Sequence, residues 1–167
     1  MLDAILIPRE RVRRHRPRSV WITWCDQIAV RPQTVSKLVT LSERDSKAAL
    51  IFPTALRSEP YIHIARDDQG EIIDILHQRE GDVLPEVGES DMGLFCLSGD
   101  AYFELLGDFA RDVVKGAVTQ ERNFLSFIPW LHGRAKVRTF PACHEIESVG
   151  INTPADLDRV EKHLHHG

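Results

Sequence analysis

The run Ser19-Val20-Trp21-Ile22-Thr23-Trp24-Cys25, stopped by Asp26-Gln27, restricts this chain more than any other segment. An apolar run of this length, rich in β-branched and aromatic residues, reads as a buried strand. A carboxylate directly after such a strand is costly unless it is solvated, capping a helix or holding a cation. Val35, Leu38, Val39 and Leu41 then recur near helical spacing over 32–41. The unit is therefore strand, Asp loop, helix, the building block of α/β proteins.

The rest of the chain continues the alternation. Residues 47–52 predict a second short strand, closed by Pro53. Residues 60–66 alternate as a strand, Asp67-Asp68-Gln69-Gly70 is a turn signal, and 71–76 is the returning strand. The charged stretch 77–88, punctuated by glycine and proline, reads as a mobile loop of the kind that covers substrates. Glu89-Ser90-Asp91 introduces a buried strand over 92–97, and Ser98 caps a helix from Asp100 to about Phe109. A loop follows over 111–120, then a short broken helix over 123–131 and a strand over 135–140. A last helix runs over 154–164 with Leu157, Val160 and Leu164 on one face. Strands alternating with helices predict an α/β fold with a largely parallel sheet and one inserted β-hairpin. The 167 residues suit a single domain: a basic leader (1–18), a core (19–164) and a tail (165–167).

The net charge of −4 gives no general attraction to nucleic acid or to an anionic membrane. The exception is local, with Arg9, Arg11, Arg13, Arg14, Arg16 and Arg18 in one dense segment. No aromatic interleaving or binding motif accompanies these arginines. They read as a solvated helix stopped by Pro17 and not as a nucleic-acid patch. Cys25, Cys96 and Cys143 are odd in number and widely spaced, so neither a disulfide framework nor a zinc knuckle is expected. Reduced thiols in the cytoplasm are the simplest expectation. The apolar start over 2–7 precedes its arginines, the reverse of a signal peptide, and no 18-residue apolar run exists. The histidines His163, His165 and His166 read as a frayed tail rather than a metal site.

Near the C-terminus, Val149-Gly150-Ile151 predicts the end of a short strand, with Asn152 at its mouth. Thr153 caps the last helix, Pro154 takes its first position and Asp156 sits in its first turn. This is either a ligand corner between strand and helix or only a well-capped terminal helix, and the capping signals leave both open. Asp26 and Asn152 both stand at predicted strand ends. One carboxylate and one amide suit magnesium, which takes few protein ligands, better than zinc. Asp91 is a third polar group, just before a strand.

Five segments in this order resemble the C-terminal part of the nucleotidyltransferase domain of sugar-phosphate nucleotidyltransferases. The nearest likeness is to the N-acetylglucosamine-1-phosphate uridylyltransferase and molybdenum-cofactor nucleotidyltransferase types. Val20 through Gln27 is similar to the family strand that ends in a metal-binding Asp, and Pro32 through Leu38 to the helix after it. Tyr61 opens a segment similar to the family's Tyr-Gly-Arg hairpin, and Gly70-Glu71-Ile72-Ile73 resembles its return. Ser90-Asp91-Met92-Gly93-Leu94 resembles the sugar-contacting Asn-Thr-Gly strand, and Gln120 through Leu125 the Gly-Glu-Tyr-Tyr segment. Val149 through Leu157 resembles the final motif, whose Asn is the other metal ligand.

The resemblance implies a Rossmann-like sheet, truncated at the N-terminus, and a magnesium-dependent reaction. A sugar phosphate attacks the α-phosphorus of a nucleoside triphosphate and pyrophosphate leaves. It also implies magnesium on Asp26 and Asn152, and substrate contacts at Tyr61, Asp91, Gly93 and Glu121. The family's glycine-rich phosphate loop has no counterpart before Gly70, the first glycine. Tyr61-Ile62-His63 replaces Tyr-Gly-Arg, a sugar-contacting Glu falls near His77, and Asp91 replaces an Asn. The expectation is therefore transfer impaired by the missing loop, with the missing half supplied by a partner chain or its place taken by self-association along an exposed 20–25 edge. A non-catalytic binding module is the alternative.

Overall fold

The elements follow from a computed structural model that describes residues 1–166, with His165 and His166 described by backbone alone. Helices α1 (Leu2–Leu6) and α2 (Arg9–Arg13) precede β1 (Ser19–Thr23), α3 (Pro32–Arg44) and β2 (Ala48–Ser58). The hairpin β3 (Ile62–Arg66) and β4 (Ile72–His77) leads to β5 (Val87–Asp91) and β6 (Leu94–Ser98). A wide helical turn at Ala101–Leu105 runs into α4 (Leu106–Asp112). The chain ends with α5 (Phe127–Trp130), β7 (Lys136–Pro141) and α6 (Pro154–His166). The expected tail at 165–167 lies, for its side chains and for Gly167, outside the described residues.

The main sheet has the order β1-β6-β2-β5, with β7 on the other edge of β2. It is mixed α/β but mostly antiparallel, which corrects the expected parallel, Rossmann-like sheet. β6 runs antiparallel to both β1 and β2, β5 runs antiparallel to β2, and only β2 with β7 is parallel. The cause is connectivity. The α3 crossover keeps β1 and β2 pointing the same way. The link from β2 to β5 and β6 is a hairpin with no crossover helix. The chain therefore comes back in the opposite direction, and β6 takes the slot between β1 and β2.

β5 and β6 are one strand broken by two extra residues. Asp91 pairs with Thr54 and Cys96 with Ile51, so five steps on one strand face three on the other. Gly93 turns this bulge at φ +64°. Pro53 does not close β2 as expected. It sits opposite the bulge, where a missing N–H costs no ladder bond, and β2 continues to Ser58.

The sheet is buried on both faces. In β6, Leu94 and Cys96 join α3 through Leu38, while Phe95 and Leu97 join the larger cluster with Phe52, Tyr102, Phe109, Phe124 and Phe127. Leu2 is fully buried in that cluster and the Tyr102 hydroxyl donates to the Ile5 carbonyl at 2.9 Å, so α1 packs into the core. β1 has one partner, β6, and is an edge strand and not the buried strand expected, with Trp21 37% exposed. An apolar run reports burial, not position in the sheet.

The hairpin turn follows the sequence closely. Asp67 accepts from the N–H groups of Gln69 and Glu71, both at 2.9 Å, and Gly70 takes φ +84°. The expected strand end at Val149–Ile151 is instead extended chain after a short helical turn at Glu145–Ser148. It is tied to the end of β1 by the Ile151 N–H, which donates to the Asp26 carbonyl at 3.0 Å. No described helix is long and apolar enough to cross a membrane.

Candidate functional site

The loop Trp24–Gln27 is clamped between two glycines. A Cβ on Gly93 would collide with the Trp24 ring and come within 2.8 Å of Gln27 Cγ. A Cβ on Gly150 would lie 2.5 Å from Asp26 Oδ2 and 2.9 Å from Gln27 Nε2. Both glycines thus let neighbouring backbone approach the end of β1, which fixes where Asp26 points. Trp24 packs on Phe95 with centroids 5.4 Å apart, and its N–H donates to the Gly93 carbonyl at 2.8 Å.

Asn152 reaches the same place from the far end of the chain. Its Nδ2 donates to Asp26 Oδ2 at 3.5 Å and to the Gly150 carbonyl at 3.3 Å. Asp156 steadies it, accepting from the Asn152 and Thr153 N–H groups at 3.1 and 2.8 Å, while Thr153 Oγ1 caps the Asp156 N–H at 3.2 Å. One layer back, the fully buried Glu147 accepts from the N–H groups of Arg31 and His144 at 2.8 and 3.0 Å. That carboxylate ties the start of α3 to the turn before α6, so both loops of the corner move together.

A cleft of about 480 Å³ opens over this corner. Asp26, Asn152, Tyr61 and Asp91 line it, joined by Trp24, His77, Arg79 and Leu125. Four of the six residues singled out by sequence therefore meet, from four separate segments. Gly93 is outside the lining, and its N–H donates to Asp91 Oδ1 at 2.8 Å. Its role is the bulge itself. Glu121 is outside the lining, 3.7 Å from the Met1 amino group, which borders the cleft. Other depressions exist, including a groove of about 640 Å³ beside Trp21. Of the two acids in that groove, Glu43 and Asp45, Asp45 is neutralised by Lys136 and Arg138 at 2.6 and 3.2 Å.

The cleft lining carries two acids, Asp26 and Asp91, and a guanidinium, Arg79. Desolvation pushes the Asp91 carboxyl above its ordinary range, against the pull of the Gly93 N–H. Burial and then the Asp91 carboxylate push the Tyr61 phenol up, with Asp26 adding to it and Arg57, 5.7 Å from the ring, opposing it. Desolvation pushes the His77 imidazole down. Its Nδ1 accepts the Arg79 N–H at 3.2 Å, which fixes the His77–Glu80 turn in the wall. Glu80 then clasps the next loop, accepting from the Val118 N–H at 2.9 Å and from the Thr119 hydroxyl.

Among the described residues no group of three or more His, Cys, Asp or Glu side chains is set to hold a metal. The Asp26–Asn152 pair offers a carboxylate and an amide, donor types that magnesium accepts. Its two groups are 3.5 Å apart, near the roughly 3 Å edge of an octahedron with 2.0–2.1 Å bonds. Asp26 has no stronger hydrogen bond to its carboxylate among the described residues than this one. An amide flip of Asn152 would present its oxygen beside that carboxylate.

Sequence reasoning missed Gly150, Trp24 and Arg79 as parts of the site. Gly150 stood in the quoted motif, but only the packing shows what its missing Cβ permits. The chain matches no protein-family model and no curated protein sequence.

Proposed function

We propose that this cleft binds a sugar phosphate together with a nucleotide, and that the chain is the acceptor side of a nucleotidyltransferase. One observation carries the reading. Asp26 and Asn152, 126 residues apart, meet at 3.5 Å in the lining of a cleft that also carries Arg79. Acids and a guanidinium lining one cleft can hold a phosphate through a divalent ion and an arginine at once.

In this reading Asp26 and Asn152 would hold a magnesium ion, which would neutralise phosphate charge and align the reacting groups. Arg79 takes a phosphate oxygen of the acceptor. Asp91, desolvated and braced by the Gly93 N–H, accepts from a sugar hydroxyl. Tyr61 supplies a flat wall backed by Arg57. A phosphate oxygen of the acceptor attacks the α-phosphorus of the triphosphate, the bond to the bridging oxygen breaks, and pyrophosphate leaves. Catalysis would come from positioning and charge stabilisation.

A second reading, ligand binding without transfer, is favoured by one fact. Residues 1–69 contain no glycine, so they hold no glycine-rich turn to cradle a triphosphate. A panel of nucleoside triphosphates and sugar 1-phosphates separates the two. The protein is assayed with magnesium for pyrophosphate release, and for binding of each partner by calorimetry. Release of pyrophosphate supports transfer, and binding without release supports the second reading. Absence of any binding, with or without magnesium, refutes both.

A further inference from the structure

We propose that the arginine segment 11–18, together with Trp21, is a binding site for single-stranded nucleic acid, separate from the cleft. The arginines of the leader have different fates in the fold. Arg9 lies against Gly107, and Arg13 stacks on Phe103 at 4.8 Å and pairs with Glu104 at 3.6 Å. Arg11, Arg14, Arg16 and Arg18 are exposed and form no side-chain hydrogen bond or ion pair among the described residues, and exposed His15 stands between them. Residues 1–18 set six arginines against Asp3 and Glu10, a local charge of +4 in a chain whose total is −4. The opposite charge of the body leaves this end of the molecule as the pole for a polyanion.

Two further observations narrow the ligand. The cations are all guanidinium groups, whose planar forks match phosphate oxygens. Arg16 sits in the left-handed region at φ +46°, a strained position for a non-glycine residue, and turns the chain between α2 and β1. Sequence alone offered no aromatic partner, but the fold supplies one. Trp21, 37% exposed on the free edge strand, shares the 640 Å³ groove with Arg18. Arg18 beside a partly exposed indole, with Arg11, Arg14 and Arg16 just before it in the chain, supplies the two elements that bind single strands, a ring for base stacking and guanidinium groups for phosphates. The surface offers little to a membrane, since Ile7 is the one large apolar side chain of 1–18 that is mostly exposed. Glu43 in the groove opposes phosphate, while Asp45 is already neutralised. Arg18 precedes β1 and Asp26 follows it, so the two sites lie at opposite ends of one strand.

The test is fluorescence anisotropy of a labelled oligothymidylate of about twelve nucleotides, with a duplex of equal length and phosphatidylserine vesicles as the other probes. Four phosphate contacts predict a log–log salt slope near −3 and about a 50-fold loss of affinity between roughly 50 and 200 mM salt. Arg14→Ala and Arg16→Ala should each reduce that slope by about 0.7. Trp21→Ala should weaken single-strand binding about tenfold with little effect on the duplex, and Trp21→Phe should restore it. No binding at the lower salt, a slope indifferent to the arginine variants, or equal binding by Trp21→Ala overturns the proposal. So does capture by the vesicles with none by the oligonucleotide.

Discussion

Gly150 stands against Asp26 so closely that a Cβ there would lie 2.5 Å from Oδ2. The backbone at Gly150 is not left-handed, so alanine is excluded by space and not by conformation. Gly150→Ala should push the Asp26 carboxylate off its present line and cost about 1–3 kcal/mol of stability through overpacking. Magnesium-dependent ligand binding should fall further than the stability loss explains. Denaturant titration beside calorimetry checks this, and unchanged binding in a folded variant would show that Asp26 has no fixed role.

The metal pair predicts opposite responses to two isosteric changes. Asp26→Asn removes the only charge of the pair and should weaken magnesium binding at least about tenfold. Asn152→Asp adds a second carboxylate and should strengthen it. A titration following the indole fluorescence of Trp24, which lines the same cleft, reads both. Equal affinities in all three proteins would mean that the ion binds elsewhere.

How far the sequence revealed these features depended on whether the signal was local. Asp67 and Gly70 announce their turn because the chemistry is contained in four residues. The Thr153–Asp156 cap and the apolar stripe of α3 are local in the same sense. Strand direction is not. The apolar stretch containing Phe95 and Leu97 reads alike whichever way it runs, and the absence of a helix between β2 and β5 was the one available clue to its reversal. Trp21 looked buried because composition does not distinguish a central strand from an edge. The Asp26–Asn152 pairing came from two oxygen-bearing residues at predicted strand ends and from the resemblance of their segments, whereas the role of Gly93 and Gly150 as spacers needed the packing itself.

β1 offers an unpaired edge bearing Trp21 and Thr23, with no bulge or proline to blunt it. The protein should therefore associate with rising concentration in sedimentation velocity. Thr23→Lys places a charge on the exposed edge position and should shift the population to monomer without lowering the unfolding midpoint. A wild-type protein that stays monomeric at high concentration would show that the edge is protected in some other way.

Two carboxylates should give stability opposite dependences on pH. Glu89 lies below its ordinary value of 4.5. Desolvation raises it, but the paired hydrogen bonds from Arg66, both 2.7 Å, and the Arg66 charge outweigh that. Its stabilisation is complete above about pH 4.5 and is lost as pH falls through the lower folded value. Arg66 also reaches the Thr139 hydroxyl at 2.9 Å, so the pair joins the hairpin to β5 and β7. Arg66→Gln should cost about 1–2 kcal/mol at neutral pH, a cost reduced by partial exposure and shrinking on acidification. Asp91 is the reverse case, raised above 3.8 mainly by desolvation. Its neutral form suits the fold, so its contribution is present below about pH 3.8 and is lost as pH rises through the folded value. Asp91→Asn keeps an acceptor for the Gly93 N–H. It should match the wild type in acid and exceed it in stability at neutral pH. Denaturant midpoints measured for both variants across this range check the signs. An Asp91→Asn protein less stable than wild type at neutral pH would mean that the charged carboxylate is held by a partner stronger than the Gly93 N–H.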